Sequence, residues 1–316
     1  MELFTFIGTE GFYFFFFPAI YWCIDSTLGL RLGIVLFTTS SLNGLLKLAF
    51  HLPRPYWVDQ NVKIYSTEAS FGFPSGHSQK AASFWGMLGY SQKRLIITII
   101  CLFMILMISL SRLYLGVHYL IDVLGALFFG FLVLWLVTLV EKPVCKWVKK
   151  TNPWVIFLSA VVLALIILSL GILFQSFLLD WEIPDSWIAL SSRTGKTINP
   201  VSLDDLFSYV GLWTGFITGV CFLLSQEIKL GKYQVAGTPN QKIARFFIGI
   251  TGLIIIYSGL GVVFPQTETV TGLTLRLLRF GLMGAWISGL APWVFIRLGL
   301  STPKKPLDVE SSKSKK

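Results

Sequence analysis

Charge is scarce in this 316-residue chain: 13% of its residues are Asp, Glu, Lys or Arg, against roughly 25% in a soluble domain. Cysteine is scarce as well. Cys23, Cys101, Cys145 and Cys221 are scattered, mostly inside apolar runs, with neither a paired pattern nor metal-ligand spacing. That excludes a disulfide-stapled secreted fold. A basic start is missing, since Glu2 and Glu10 precede the first base, Arg31, and no cleavable secretory leader is expected. Acids are outnumbered, sixteen against twenty-six bases, for a net charge of +10. Such a balance suits nucleic acid, an anionic membrane surface or an acidic substrate. Hydrophobic residues reach 54% and aromatic ones 15%, which excludes a disordered chain. The class left standing is an all-α, polytopic membrane protein.

A membrane-crossing helix needs about 20 mostly apolar residues. Nine stretches approach that length: 11–28, 30–50, 78–92, 94–112, 119–140, 153–177, 206–226, 244–264 and 275–298. Placing the N-terminus outside collects seventeen of the twenty-six bases on the cytoplasmic side, as the positive-inside bias requires. The expected organisation is a core over 1–145 with five spans, four further spans over 146–299, and a polar, basic cytoplasmic tail over 300–316. Nucleic acid is disfavoured, because most bases fall in short cytoplasmic loops and not on one groove-sized face.

The outer bases are the informative ones. Lys47, Arg54 and Arg112 stand at the ends of apolar spans, where a charge is costly and usually functional. Three segments meet on that face: Lys47 to Pro55, Phe73-Pro74-Ser75-Gly76-His77, and Ser111 to Asp122. Together they compose a phosphate site. Three positive charges, two of them guanidinium forks, match phosphate oxygens. Ser75 adds a hydroxyl, and Gly76 lets the first amides of a helix approach an anion. His118 and Asp122, four apart on a helix, share a face. The carboxylate can take one imidazole N–H and leave the other nitrogen as a nucleophile. His77 arrives from a separate segment, as a general acid for the leaving oxygen should.

The patterns K-x6-R-P, P-S-G-H and S-R-x5-H-x3-D occur here without a mismatch. The chain thereby resembles the type 2 phosphatidic acid phosphatase superfamily over 47–122, and more loosely over about 10–140. The resemblance implies a phosphatase helical core and metal-independent hydrolysis of a phosphomonoester or diphosphate through a phosphohistidine, with no cofactor. It implies His118 as nucleophile, Asp122 as its orienting partner, His77 as acid, and Lys47, Arg54, Ser75, Gly76 and Arg112 as phosphate ligands. The run from Thr9 to Asp25 is similar to the opening of sphingosine-1-phosphate phosphatases, although that branch more often carries threonine where Gly76 stands.

A site at the membrane–water interface suits an amphiphile, so the expected substrate is a sphingoid base phosphate, phosphatidate or lysophosphatidate. Undecaprenyl diphosphate is the enzymatic rival, and a non-catalytic lipid-phosphate binding or transport protein the rival of another class. The expected location is the cell membrane, with the active site on the non-cytoplasmic side. His51, between Lys47 and Arg54, either joins the site or, on the preferred structural reading, is an interfacial polar residue. Lys80 reads as a contact to a second phosphate or a headgroup, or as a snorkelling base. Arg276 and Arg279 would meet lipid headgroups or the acidic loop holding Asp180, Glu182, Asp185, Asp204 and Asp205. The last four spans leave three roles open: a cap on the site, a homodimer interface, or a second function.

Overall fold

The computed structural model describes residues 1–193, 195, 197–230, 233–265 and 267–301. Beyond Ser301 the expected basic tail lies outside the described residues. Among those described, the chain is all-helical. Its helices are α1 (Glu2–Ile7), α2 (Glu10–Ile24), α3 (Ser26–Phe50), α4 (Pro55–Val58), α5 (Gly76–Gln92) and α6 (Leu95–Tyr114). There follow α7 (Leu120–Lys150), α8 (Pro153–Ser176), α9 (Asp185–Ser192), α10 (Asp204–Leu230), α11 (Pro239–Val263) and α12 (Val270–Arg297).

Nine of these fall where the sequence places spans, but seven are long and apolar enough to cross a membrane: α3, α6, α7, α8, α10, α11 and α12. The two exceptions have different causes. Helix α2 is short, and Pro18, which has no N–H to donate, precedes a π turn over Ile20–Ile24. Helix α5 is polar. It buries Ser78, Gln79, Lys80 and Ser83, and it is surrounded by α3, α6 and α7. A helix so enclosed has no need of an apolar surface for lipid, which is why its sequence reads as a short span.

Helix ends are set by local chemistry. The Asp25 carboxylate accepts from Thr27 N at 2.8 Å and Leu28 N at 3.0 Å, capping α3. At its other end His51 takes a left-handed conformation (φ 40°) and donates its N–H to the Lys47 carbonyl at 2.9 Å. His51 is exposed and is the C-cap of α3, in keeping with the structural reading.

In lipid, helices associate through close packing and hydrogen bonds more than through water exclusion. The contact of α10 with α12 follows that rule. Gly211, Gly215 and Gly219 recur every fourth residue along α10 and face Leu277, Gly281 and Gly289. A Cβ on Gly211 would stand 2.6 Å from the Leu277 carbonyl oxygen. Aromatic rings fill the centre: Phe17 packs on Phe37 and Phe216 at 5.7 Å between centroids. A separate apolar cluster lies outside the helix core, where Trp57, Phe71, Trp181 and Trp187 pack with tilted rings at 5.7–5.8 Å between centroids. The acidic loop that follows α8 is docked there by Trp181 and Trp187.

Candidate active site

Each motif places its residues at the same end of the helices. Lys47 occupies the last turn of α3 and donates to Ser70 Oγ at 2.6 Å. Arg54 precedes α4 and is 1% exposed. Its guanidinium spans the site: Nε to the Ser70 carbonyl at 2.6 Å, Nη1 to the Val117 carbonyl at 3.1 Å, and Nη2 to the Phe71 carbonyl at 3.1 Å. Arg112, in the last turn of α6, is wholly buried and reaches Glu68 Oε1 at 2.6 Å.

Ser75 lies just before α5; its N–H donates to the Asp122 carbonyl at 3.1 Å, tying the second motif to the third. Gly76 follows. A Cβ there would stand 3.0 Å from Asn43 Oδ1, and Asn43 Nδ2 is held by the Pro74 carbonyl at 3.1 Å and Gln79 Oε1 at 2.7 Å. That crowding gives the glycine a local reason where the similar branch more often has threonine. His77 is half-buried in the first turn of α5, against Gly8 at the end of α1.

The geometry around His118 fixes its tautomer. Arg54 Nη1 lies 3.1 Å from Nε2, and a guanidinium only donates. Nε2 is therefore the acceptor, and Nδ1 carries the proton, 3.2 Å from Asp122 Oδ2. Asp122 also accepts from Tyr119 N at 2.9 Å, which locks the carboxylate at the start of α7. Burial, and then the charges of Arg54, Arg112 and Lys47, hold the His118 imidazole well below its ordinary range. It is a neutral base whose Nε2 lone pair is engaged by Arg54.

Three contributors carry no motif signal. Glu68 sits within electrostatic reach of Arg54, His77, Arg112 and Lys47. Burial pushes its carboxyl up, but those four groups outweigh it and hold the value down at about 2. The Tyr56 hydroxyl grips the Glu68 backbone on both sides, donating to its carbonyl at 2.8 Å and accepting from its N–H at 2.9 Å. Ser70 and Asn43 act through neighbours, as described. An acid in a loop between two basic motifs was the available clue to Glu68; nothing in the pattern marks Ser70 or Asn43. Two peripheral bases are also paired: Arg276 with Asp204 at 2.7 Å, as one reading expected, and Lys80 with Glu10 at 3.1 Å, which neither reading of Lys80 included.

Fold and site define a class: a helical membrane protein with an anion-attracting cluster around an oriented histidine. Residues 28–144 match the PAP2 superfamily, and residues 207–303 match the PAP2 superfamily phosphatase transmembrane extension. The chain belongs to the PAP2 superfamily and, with its seven apolar helices, is an integral membrane protein. It is 31% identical over 131 residues to phosphatidylglycerophosphatase B of Bacillus subtilis (strain 168), covering 39% of this chain. The match spans 62% of that relative, less than two thirds of its length. Sphingosine-1-phosphate phosphatase 1 of Mus musculus is 26% identical over 94% of this chain and 71% of its own. Among solved structures, the transmembrane PAP2 type phosphatidylglycerolphosphate phosphatase from Bacillus subtilis is 28% identical, covering 45% of this chain and 75% of that one, with a TM-score of 0.39.

Proposed function

We propose that this protein is a membrane phosphatase that removes phosphate from a lipid phosphate by way of a phosphohistidine. The observation that carries the reading is the line of contacts Arg54–His118–Asp122, which keeps the proton on Nδ1 and the lone pair on Nε2. Arg54 holds that lone pair until a phosphate oxygen takes its N–H, beside the buried Arg54 and Arg112 and the half-buried Lys47. His118 Nε2 attacks phosphorus while Lys47, Arg54, Arg112, Ser75 and the Gly76 amide region hold the other oxygens. The bond from phosphorus to the lipid oxygen breaks, and His77 gives that oxygen a proton. Water then attacks the phosphohistidine, returns a proton to His77, and frees inorganic phosphate and the Nε2 lone pair. Asp122 keeps Nδ1 protonated throughout. Three cationic side chains supply the charge stabilisation, so the reaction needs no metal ion.

Placement at the non-cytoplasmic face of the cell membrane follows the charge bias of the loops. Residues 1–145 form the catalytic core, and residues 146–299 contribute a cap, through the tryptophans of the 178–203 loop. Phosphate release by the purified full-length protein tests the reading on sphingosine phosphate, phosphatidate, lysophosphatidate and undecaprenyl diphosphate. His77→Ala is expected to lose roughly 10²–10⁴ in rate, and His118→Ala more. Near wild-type turnover by His118→Ala refutes the nucleophile. Activity persists in EDTA; its loss there with rescue by magnesium refutes the metal-free route.

A further inference from the structure

A cavity lies beside Lys47, and its far wall belongs to the added helices. Asn43, Gly44, Lys47 and Ser70 line one side; Ser202, Asp205 and Tyr209 line the other. Gly44 makes the approach workable, since a Cβ there would stand 3.2 Å from the Leu206 side chain. Asp204 and Asp205 both open α10, but they differ in company. Asp204 is paired with Arg276 at 2.7 Å, whereas Asp205 has no ion-pair partner among the described residues and faces the cavity. The Tyr209 hydroxyl donates to Glu10, which also takes Lys80 at 3.1 Å. Its oxygen is thereby fixed in place with lone pairs left to accept.

We infer that Asp205 is a specificity-determining residue that selects lipid phosphates bearing an ammonium group close to the phosphate. The inference rests on the lipid-phosphatase reading above. Lys47 lines this cavity of about 20 Å³, so a phosphate that Lys47 holds has the cavity beside it, with room for one small group of its substituent. There a cation meets the unpaired Asp205 carboxylate, and a hydroxyl meets Tyr209 or Ser202. The two walls carry opposite charge, base on one side and acid on the other, and match the two charges of an amino-alcohol phosphate. Phosphatidate offers the cavity ester oxygens and no cation, and leaves the Asp205 carboxylate without a counter-charge.

The test uses the full chain in detergent with three lipids of one chain length: sphingosine phosphate, its N-methyl form and its N-acetyl form. Methylation keeps the cation and adds bulk; acetylation removes the cation. A charge-assisted contact predicts a wild-type kcat/KM about tenfold or more above the N-acetyl lipid for both cationic lipids, carried mainly by KM. Asp205→Asn collapses that ratio towards one, and Asp205→Glu restores most of it. Equal wild-type turnover of all three overturns the inference, as does an Asp205→Asn variant that keeps the wild-type ratio at whatever overall rate. Loss of the N-methyl and N-acetyl lipids alike points to bulk and overturns it too. Failure of wild-type protein to release phosphate from any lipid phosphate is a separate result, which removes the underlying reading first.

Discussion

Arg54 joins four groups from two segments of the site through one planar group, and this is a task lysine cannot perform. Its N–H groups serve the Ser70, Phe71 and Val117 carbonyls and the His118 ring together. Arg54→Lys should therefore cost about 10²-fold or more in kcat and lower the melting temperature, measured on the same detergent sample. His118 carries a second expectation. Its depressed basicity means that the neutral form persists below the ordinary imidazole range, and protonation begins only at lower pH. Acylation of His118, followed by peptide mass spectrometry, should hold steady from about pH 8 down to about pH 6; an inflection at or above the ordinary imidazole value contradicts the geometry. The helix expected to hold both His118 and Asp122 starts later: His118 lies in the turn before the N-cap Tyr119, Asp122 lies in the first turn of α7, and the cap, not a shared helical face, brings them together. The motif residues were nonetheless legible because their spacing carries chemistry. Glu68 and Ser70 were not, because what brings them in is the path of a loop, held by the Tyr56 hydroxyl and the Arg54 fork.

Helices were legible from apolar length, and their partners were not. Helix α5 shows the reason: enclosure by α3, α6 and α7 permits buried Ser78, Gln79, Lys80 and Ser83, so hydropathy understates its role. Conversely, the acidic character of the 178–203 loop hid two tryptophans that dock it over Trp57 and Phe71. Trp187→Ala removes ring contacts with Trp57 and Trp181, each worth about 0.5–1.5 kcal/mol. Faster proteolysis within 178–203 is the expected outcome; an unchanged cleavage rate counts against docking. The glycine row on α10, three glycines at four-residue spacing, went unread in the sequence, because only the structure supplies α12 as its counterpart. Gly215→Leu would press a side chain into the Gly281 backbone and should destabilise the protein by roughly 1–3 kcal/mol or more. Thermal unfolding in detergent measures it.

At the scale of the molecule, the +10 charge separates into two populations. Under the orientation proposed above, most bases face the cytoplasm, while Lys47, Arg54 and Arg112 stand together at the other end of the helices, around Glu68. Single cysteines introduced near 65 and near 146, in a background lacking the four native ones, should therefore label oppositely with an impermeant thiol reagent on intact cells: the first reacts and the second does not. The reverse pattern inverts the orientation. Helix α10 ties the two regions of the chain together. Its first turns carry Asp205 and Tyr209 on the wall of the Lys47 cavity, and its middle carries the glycine row seated on α12. The two surfaces are keyed to each other by helical phase, and one inserted or deleted residue between them turns one against the other by about 100°. Length changes in the 178–203 loop leave that phase untouched. Divergence among close homologues should accordingly show gaps in the loop and none between residues 205 and 219.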